Sequence, residues 1–136
     1  MLNLKLGKAQ LSIRFGYEAT VRSGIIKRLV KMTKANKDQM EYMDIIMELV
    51  PEMILVGAQK FHSNEYGYDY KSEEGKEAAL SKIYSLLDDY FEEDGANFMD
   101  LMESLQNELM NNGFLAKMFK EEVKKEAKKE EKKEEK

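Results

Sequence analysis

The chain has 136 residues, 43% of them hydrophobic and 35% charged, which suits one domain with a moderate core. It contains no cysteine, so disulfides, thiol catalysis and cysteine metal sites are excluded. No apolar run approaches the roughly 20 residues that span a bilayer, and the N-terminus lacks a signal-peptide core. These features fit a cytoplasmic protein.

Charge is unevenly distributed along the chain, although the formal net charge is only −4. Residues 1–37 carry nine bases and one acid, whereas residues 38–120 carry six bases and eighteen acids. Two faces of opposite charge would favour head-to-tail self-association or docking on charged partners. Alternatively, the two halves neutralise each other within one fold, and composition leaves both interpretations open.

The first sixteen residues predict a β-hairpin. Apolar residues alternate with polar ones on both sides of a short glycine-containing turn, Gly7–Gln10, as in two paired strands. The alternating apolar residues are Leu2, Leu4, Leu6, Leu11, Ile13 and Phe15. Because an isolated hairpin is marginal in water, its apolar face is expected to contact the helices or the strands of another chain.

Residues 18–33 predict an amphipathic helix with a basic outer face that includes Arg22, Lys27 and Arg28. Gly24 lies inside it and weakens it by about 1 kcal/mol relative to alanine. A turn with Asp38 as helix N-cap follows. The basic helix 18–34 raises one alternative function, a small nucleic-acid-binding regulator, against which stand the pI near 5.2 and the lack of helix-turn-helix spacing.

Two helices are predicted next, over residues 39–50 and 51–62, meeting at Pro51 because proline suits the first turn of a helix. Four methionines lie here at helical spacing. Such methionines are expected to fill the core, and less often to form a soft binding groove. The four are Met40, Met43, Met47 and Met53.

A polar turn with three tyrosines follows the second of these helices. Tyr66, Tyr68 and Tyr70 are large amphipathic side chains on a turn expected to be exposed, so they are candidates for partner contact together with the basic residues of helix 18–34. The equally plausible alternative is that the tyrosines hold this turn against the core.

The second half of the chain predicts two more helices, from Ser72 to an end closed by Gly95 and over residues 98–110. Five acids at the end of the first oppose the helix dipole, and form either a solvated corner or a partner-facing patch. These acids are Asp88, Asp89, Glu92, Glu93 and Asp94. Asn111–Gly113, a short apolar piece at residues 114–119 and a solvated Lys/Glu-rich tail at residues 121–136 complete the chain.

The residues offer no enzymatic chemistry. The scattered glycines form no phosphate-binding loop, and one histidine without cysteine makes a zinc site improbable. His62 and Glu65 have the spacing of an acid–base pair, but no nucleophile or oxyanion-binding donors accompany them, and a histidine capping helix carbonyls is the commoner outcome. The expectation is no enzyme, no cofactor and no metal.

Together these patterns predict a mainly α-helical fold, with an N-terminal β-hairpin (residues 1–16), a bundle of about five helices (residues 17–120) in the same domain, and a charged C-terminal tail.

Three stretches of this sequence resemble tail assembly chaperones from long-tailed phages and prophages of Gram-positive bacteria. They are the run Ile54–His62 with Asn64–Tyr68, the segment Phe15–Thr20 with Ser23–Ile26 after a strand pair, and the Lys/Glu-rich end. The resemblance covers most of residues 1–120.

The resemblance implies a small helical protein without enzymatic activity that binds the tape measure protein and keeps it soluble while tail tube subunits polymerise. It also implies action in the host cytoplasm, absence from the mature virion, and a longer frameshifted form that recruits the tail tube protein. The lysine-rich end is compatible with a slippery codon run, in which case the chain ending at Lys136 is the shorter form. A third possible function is that of a structural component that stays in the virion.

Overall fold

Helices dominate the fold, as predicted. The computed structural model describes residues 1–34 and 39–112, and these residues contain an N-terminal hairpin followed by five helices. The predicted Asp38 cap, the apolar piece at residues 114–119 and the tail at residues 121–136 lie outside the described residues.

The predicted hairpin is present and antiparallel. Strand β1 (Leu2–Leu6) pairs with β2 (Ala9–Ile13) in a register that places Leu6 opposite Ala9. The turn therefore contains only Gly7 and Lys8, and Gly7 adopts the left-handed φ of 61° that such a tight turn requires. One face of the hairpin is buried against the helices, through Leu4, Leu6, Leu11 and Ile13.

The predicted helix over residues 18–33 is in fact two helices. Helix α1 (Tyr17–Ser23) ends at Gly24, which has φ 71° and ψ 18°, and α2 (Ile25–Lys34) begins immediately afterwards. Glycine adopts this left-handed conformation without the steric cost that other residues meet, so here it ends a helix rather than weakening one.

The prediction that two helices meet at Pro51 is wrong. Helix α3 (Gln39–Tyr66) runs unbroken through Pro51 and is kinked instead at His62 (φ −127°, ψ 30°), where the second predicted helix was expected to end. An internal proline costs about 3 kcal/mol. Residues 49–58 are all buried, and this burial on both sides of Pro51 offsets the lost hydrogen bond.

The last two described helices agree with prediction at their starts. Ser72 caps α4 (Glu73–Phe91), since its Oγ accepts a hydrogen bond from Gly75 N at 3.0 Å, and Asn97 caps α5 (Phe98–Asn111) in the same way. Helix α4 ends at Phe91, however, four residues before the left-handed Gly95 that was expected to close it.

The core is a single cluster centred on α3. It joins the inner face of the hairpin to the buried sides of the helices that surround α3. Strand β2 crosses α3 closely, because Arg14 N donates to the Gly57 carbonyl at 3.1 Å. Farther along α3, Ser12 N donates to His62 Nε2 at 2.9 Å. Helix α3 thus covers one edge of the hairpin, which would otherwise present free N–H groups.

Candidate partner-binding surfaces

Tyr66 lies in the core, which corrects the expectation of an exposed turn. It is the last residue of α3, it is 8% exposed, and its ring meets that of His62 edge-on at 6.5 Å. The side chain of Gln59 donates to the Tyr66 carbonyl at 2.8 Å and to the Leu55 carbonyl at 3.1 Å. These contacts hold the end of α3 in position, so Tyr66 has a structural role.

Tyr68 and Tyr70 lie in the turn between α3 and α4 and are half-buried against the core. Their rings meet edge-on at 5.1 Å, and Asp69 accepts hydrogen bonds from the backbone of Lys71 and Ser72 within the turn. The arrangement is the one in which tyrosines hold the turn against the core, and it leaves only part of each ring for a partner.

Burial is the main cause that raises the pKa of each of these three phenols. For Tyr66 the charge of Glu65 adds to the rise in pKa, and for Tyr68 its neighbour Tyr70 does so. For Tyr70, Glu18 also raises the pKa and Arg22 lowers it. Helix α1 therefore lies close to the tyrosine turn, and Glu18 and Tyr70 line one shallow cavity.

The predicted basic contact residues have different surroundings. Arg22 pairs with Glu18 one helical turn away, at 3.5 Å, and both side chains are exposed. Arg28 faces α3, where it pairs with Glu52 and, at 3.6 Å, with Glu48. Lys27, the neighbour of Arg28, is exposed.

Arg28 therefore belongs to an ion-pair network between helices. The Glu52 side chain is 11% exposed, and its carboxylate also forms an ion pair with Lys76 Nζ of α4 at 3.1 Å. A buried carboxylate needs such partners because desolvation is costly for a charge. Arg28 has a structural task, and nothing in this arrangement favours the nucleic-acid alternative.

Three of the four methionines expected in the core are exposed instead. Met40, Met43 and Met47 of α3 are 76%, 42% and 57% exposed, whereas Met53 is fully buried. Positions i, i+3 and i+7 lie on one face of a helix. We call these three residues the methionine row. The sequence showed their spacing but gave no sign of their exposure.

The methionine row continues a stripe that is buried farther along α3. Val50 and Ile54, at the next positions on the same face, have no exposed surface. The neighbouring part of the chain is acidic, with Asp44 exposed beside the row and no base between residues 39 and 50. An apolar, adaptable surface with an acidic border thus leads out of the core onto the first two turns of α3.

A second apolar surface lies where α4 ends and α5 begins. Phe91 and Met99 are 45% and 52% exposed, and the Phe91 ring stacks on Phe98 with centroids 6.2 Å apart. Tyr84 is exposed on the same face of α4 as Phe91, two turns earlier. The five acids of Asp88–Asp94 surround Phe91 in the sequence. We call this surface the acidic aromatic corner.

The single histidine and the acidic side chains are the candidates for a catalytic or metal site among the described residues. His62 Nε2 accepts the Ser12 N–H of the hairpin, so it does not cap helix carbonyls as expected. In residues 1–34 and 39–112, no group of three or more His, Asp or Glu side chains could hold a metal ion. Within the same ranges, no helix has the length and hydropathy that crossing a membrane requires.

Comparisons with known proteins find no relative of this chain. A scan against protein-family models, a search of curated proteins and a search of solved structures each find no match.

Proposed function

We propose that the protein is a non-enzymatic phage tail assembly chaperone that binds the tape measure protein and keeps it soluble during assembly of the tail tube. In this proposal it acts in the host cytoplasm, self-associates, and is absent from the mature virion. A frameshifted longer form would recruit the tail tube protein. Self-association is favoured by the opposite charges of the two parts of the chain, and the other roles come from the resemblance of residues 1–120 to that family.

The observation that carries the proposal is the exposure of the methionine row. A protein that coats a long helical partner needs an apolar surface that adapts to many different side chains. Methionine supplies this, because its unbranched thioether side chain takes several shapes at little cost. Met43 and Met47 lie in the first half of α3, where their face is uncovered although the same face is buried farther along.

The binding mode that fits this surface is helix against helix. An amphipathic helix of the partner would lay its apolar face along the methionine row, with contacts spaced at i, i+3 and i+7 on both sides. Promiscuous helix-binding proteins use methionine-rich surfaces in this way. The same surface could then serve successive segments of a long partner.

The test is co-expression with a long helical phage tape measure protein. The partner should be insoluble alone and should remain in the supernatant with the wild-type protein. Met43→Gln with Met47→Gln should return it to the pellet, because glutamine keeps the helix propensity and approximate size of methionine but not its apolar surface.

A matched control is available on another helix. Met110 of α5 is 44% exposed and Met43 is 42% exposed, so Met110→Gln makes the same chemical change as Met43→Gln at a similarly exposed position outside both candidate surfaces. This control should keep the partner soluble. If the wild-type protein leaves the partner as insoluble as it is alone, the chaperone function is wrong. If only the control variant loses solubilisation, the methionine row is not the binding surface.

Two other functions give different results. A structural tail component would be found by mass spectrometry in purified particles, from which a chaperone is absent. A nucleic-acid-binding regulator would give a salt-dependent gel shift that charge reversal at Arg22, Lys27 and Arg28 abolishes.

A further inference from the structure

The acidic aromatic corner carries carboxylates that form no ion pair with other described residues. Two of the five carboxylates, Asp88 and Asp89, lie in the last turn of α4 and three follow it, where the helix dipole disfavours negative charge, and α4 has no basic residue in its last turn. No lysine or arginine occurs between Lys82 and Lys117.

The neighbouring helix does little to compensate this charge. The N-terminus of α5 is already capped, because Asn97 Oδ1 accepts a hydrogen bond from Asp100 N at 3.0 Å. Asp100 also places a carboxylate in the first turn of α5. Asp89 lies against Gly7 in the hairpin turn, which also carries Lys8. The other four acids meet no base in the last turn of α4 or on α5, so the corner keeps a negative potential.

The aromatic part of the corner is held in place before any partner arrives. The Tyr90 hydroxyl accepts a hydrogen bond from Asn97 N at 3.1 Å and donates to the Asn97 carbonyl at 3.4 Å. Tyr90 also meets the Phe91 ring edge-on at 4.9 Å, and the Phe98 ring stacks on Phe91. A preformed surface loses little conformational entropy on binding, which favours affinity.

We propose that the acidic aromatic corner is a docking site for a basic amphipathic helix of another protein. The apolar face of that helix would cover Phe91, Tyr84 and Met99, and its flanking lysines or arginines would pair with the carboxylates of Asp88–Asp94. An aromatic centre with a charged rim is the anatomy of protein interfaces. A cation above the exposed Phe91 ring would add a cation–π contact.

This site differs from the methionine row in position and in its reliance on charge. It lies at the α4–α5 junction, whereas the row lies in the first half of α3. The inference does not rest on the proposed chaperone function, and either proposal can fail alone.

The probe is a synthetic helical peptide with leucines along one face and lysines elsewhere, labelled for fluorescence anisotropy. Its counterpart has glutamate in place of every lysine. The lysine peptide should bind the full chain, with an affinity that falls as salt rises, and the glutamate peptide should not bind.

Two charge variants with equal net charge separate the corner from the acidity of the whole protein. Asp88→Asn, Glu92→Gln and Glu93→Gln should raise the Kd of the lysine peptide at least about tenfold, as expected when key contacts of an interface are lost. The matched control neutralises three exposed acids elsewhere, by Glu65→Gln, Glu74→Gln and Glu77→Gln. It should change the Kd by less than about threefold, because those charges make no contact with the peptide.

A third variant tests the aromatic part at unchanged charge. Phe91→Gln should also raise the Kd at least about tenfold, because Phe91 is the exposed apolar centre of the corner. Equal weakening by both charge variants, or unchanged binding by Phe91→Gln, would overturn the proposal. It would also be overturned if sedimentation showed that a second copy of this chain occupies the corner, with self-association lost in Phe91→Gln.

Discussion

Gly57 of α3 lies directly against Ile13 of β2, so closely that a Cβ at residue 57 would overlap the Ile13 Cγ2 methyl group. The same crossing point carries the hydrogen bond from Arg14 N to the Gly57 carbonyl. The hairpin and the central helix are thus joined where glycine permits the closest approach of two backbones.

The first prediction concerns this crossing. Gly57→Ala should destabilise the protein by about 1–3 kcal/mol, because overlap in a filled core outweighs the better helix propensity of alanine. Urea unfolding followed by circular dichroism measures the change. Combined with Ile13→Ala, which removes the obstructing methyl, it should cost less than the sum of the two single changes. Additive costs would show that the two residues do not obstruct each other.

The second prediction concerns the break between α1 and α2. Gly24→Ala should destabilise the protein by about 1–2 kcal/mol, because alanine resists the left-handed conformation at φ 71°. Nothing lies within 4 Å of a Cβ built there, so crowding does not contribute. Thermal unfolding measures the change in stability. Gly16→Ala is the control, because Gly16 has φ −78°, an angle that alanine adopts without strain. A more stable Gly24→Ala with greater helicity would mean that α1 and α2 form one helix, as the sequence pattern predicts.

The third prediction separates two neighbouring bases on α2. Arg28→Met should destabilise the fold by about 1–3 kcal/mol, because it leaves the largely buried Glu52 carboxylate with Lys76 alone. Lys27→Met, at an exposed position, should change the free energy of unfolding by less than about 0.5 kcal/mol. Denaturant unfolding of both variants gives the comparison, and equal effects would remove the ion-pair network from this account.

The fourth prediction is a loss of stability at alkaline pH. Burial raises the pKa of Tyr68 and Tyr70 above the ordinary value of 10.0, so the unfolded chain loses these protons first as pH rises. The tyrosine contribution is therefore complete below the unfolded pKa and is lost as pH rises through the folded values.

The free energy of unfolding should fall from about pH 9 to about pH 11, and the fall should be smaller when Tyr68→Phe and Tyr70→Phe are introduced together. Chemical denaturation at a series of pH values, with tyrosinate absorbance recorded in parallel, measures both effects. An identical pH dependence in the wild type and the double variant would contradict the burial of these phenols.

The sequence predicts the parts of the fold that depend on local patterns. Alternation gives the hairpin, and the cap at Ser72 is visible because a serine before two glutamates suits a helix start. Gly24 and Pro51 were misjudged for one reason: local preference does not reveal packing. Glycine ends a helix where α1 and α2 must diverge, and proline is tolerated where α3 is buried all round.

The candidate surfaces were harder to predict than the fold. Met47 and Met53 have similar helical contexts, yet one is 57% exposed and the other fully buried, because distant elements decide which turns of α3 are covered. The polar neighbours of Tyr66 suggest an exposed turn, but the helical turn that follows the kink at His62 ends with the Tyr66 side chain in the core. Exposure depends on contacts between residues far apart in sequence, which periodicity does not show.

The central claim, that the methionine row contacts the tape measure protein, is tested most directly by site-specific photo-crosslinking. A benzoylphenylalanine replaces Met43 in one variant and the similarly exposed Met110 in another, and each is co-expressed with the tape measure protein and irradiated. The account predicts a crosslinked product from position 43 and none from position 110. Equal crosslinking at both positions, or crosslinking from position 110 alone, would contradict it.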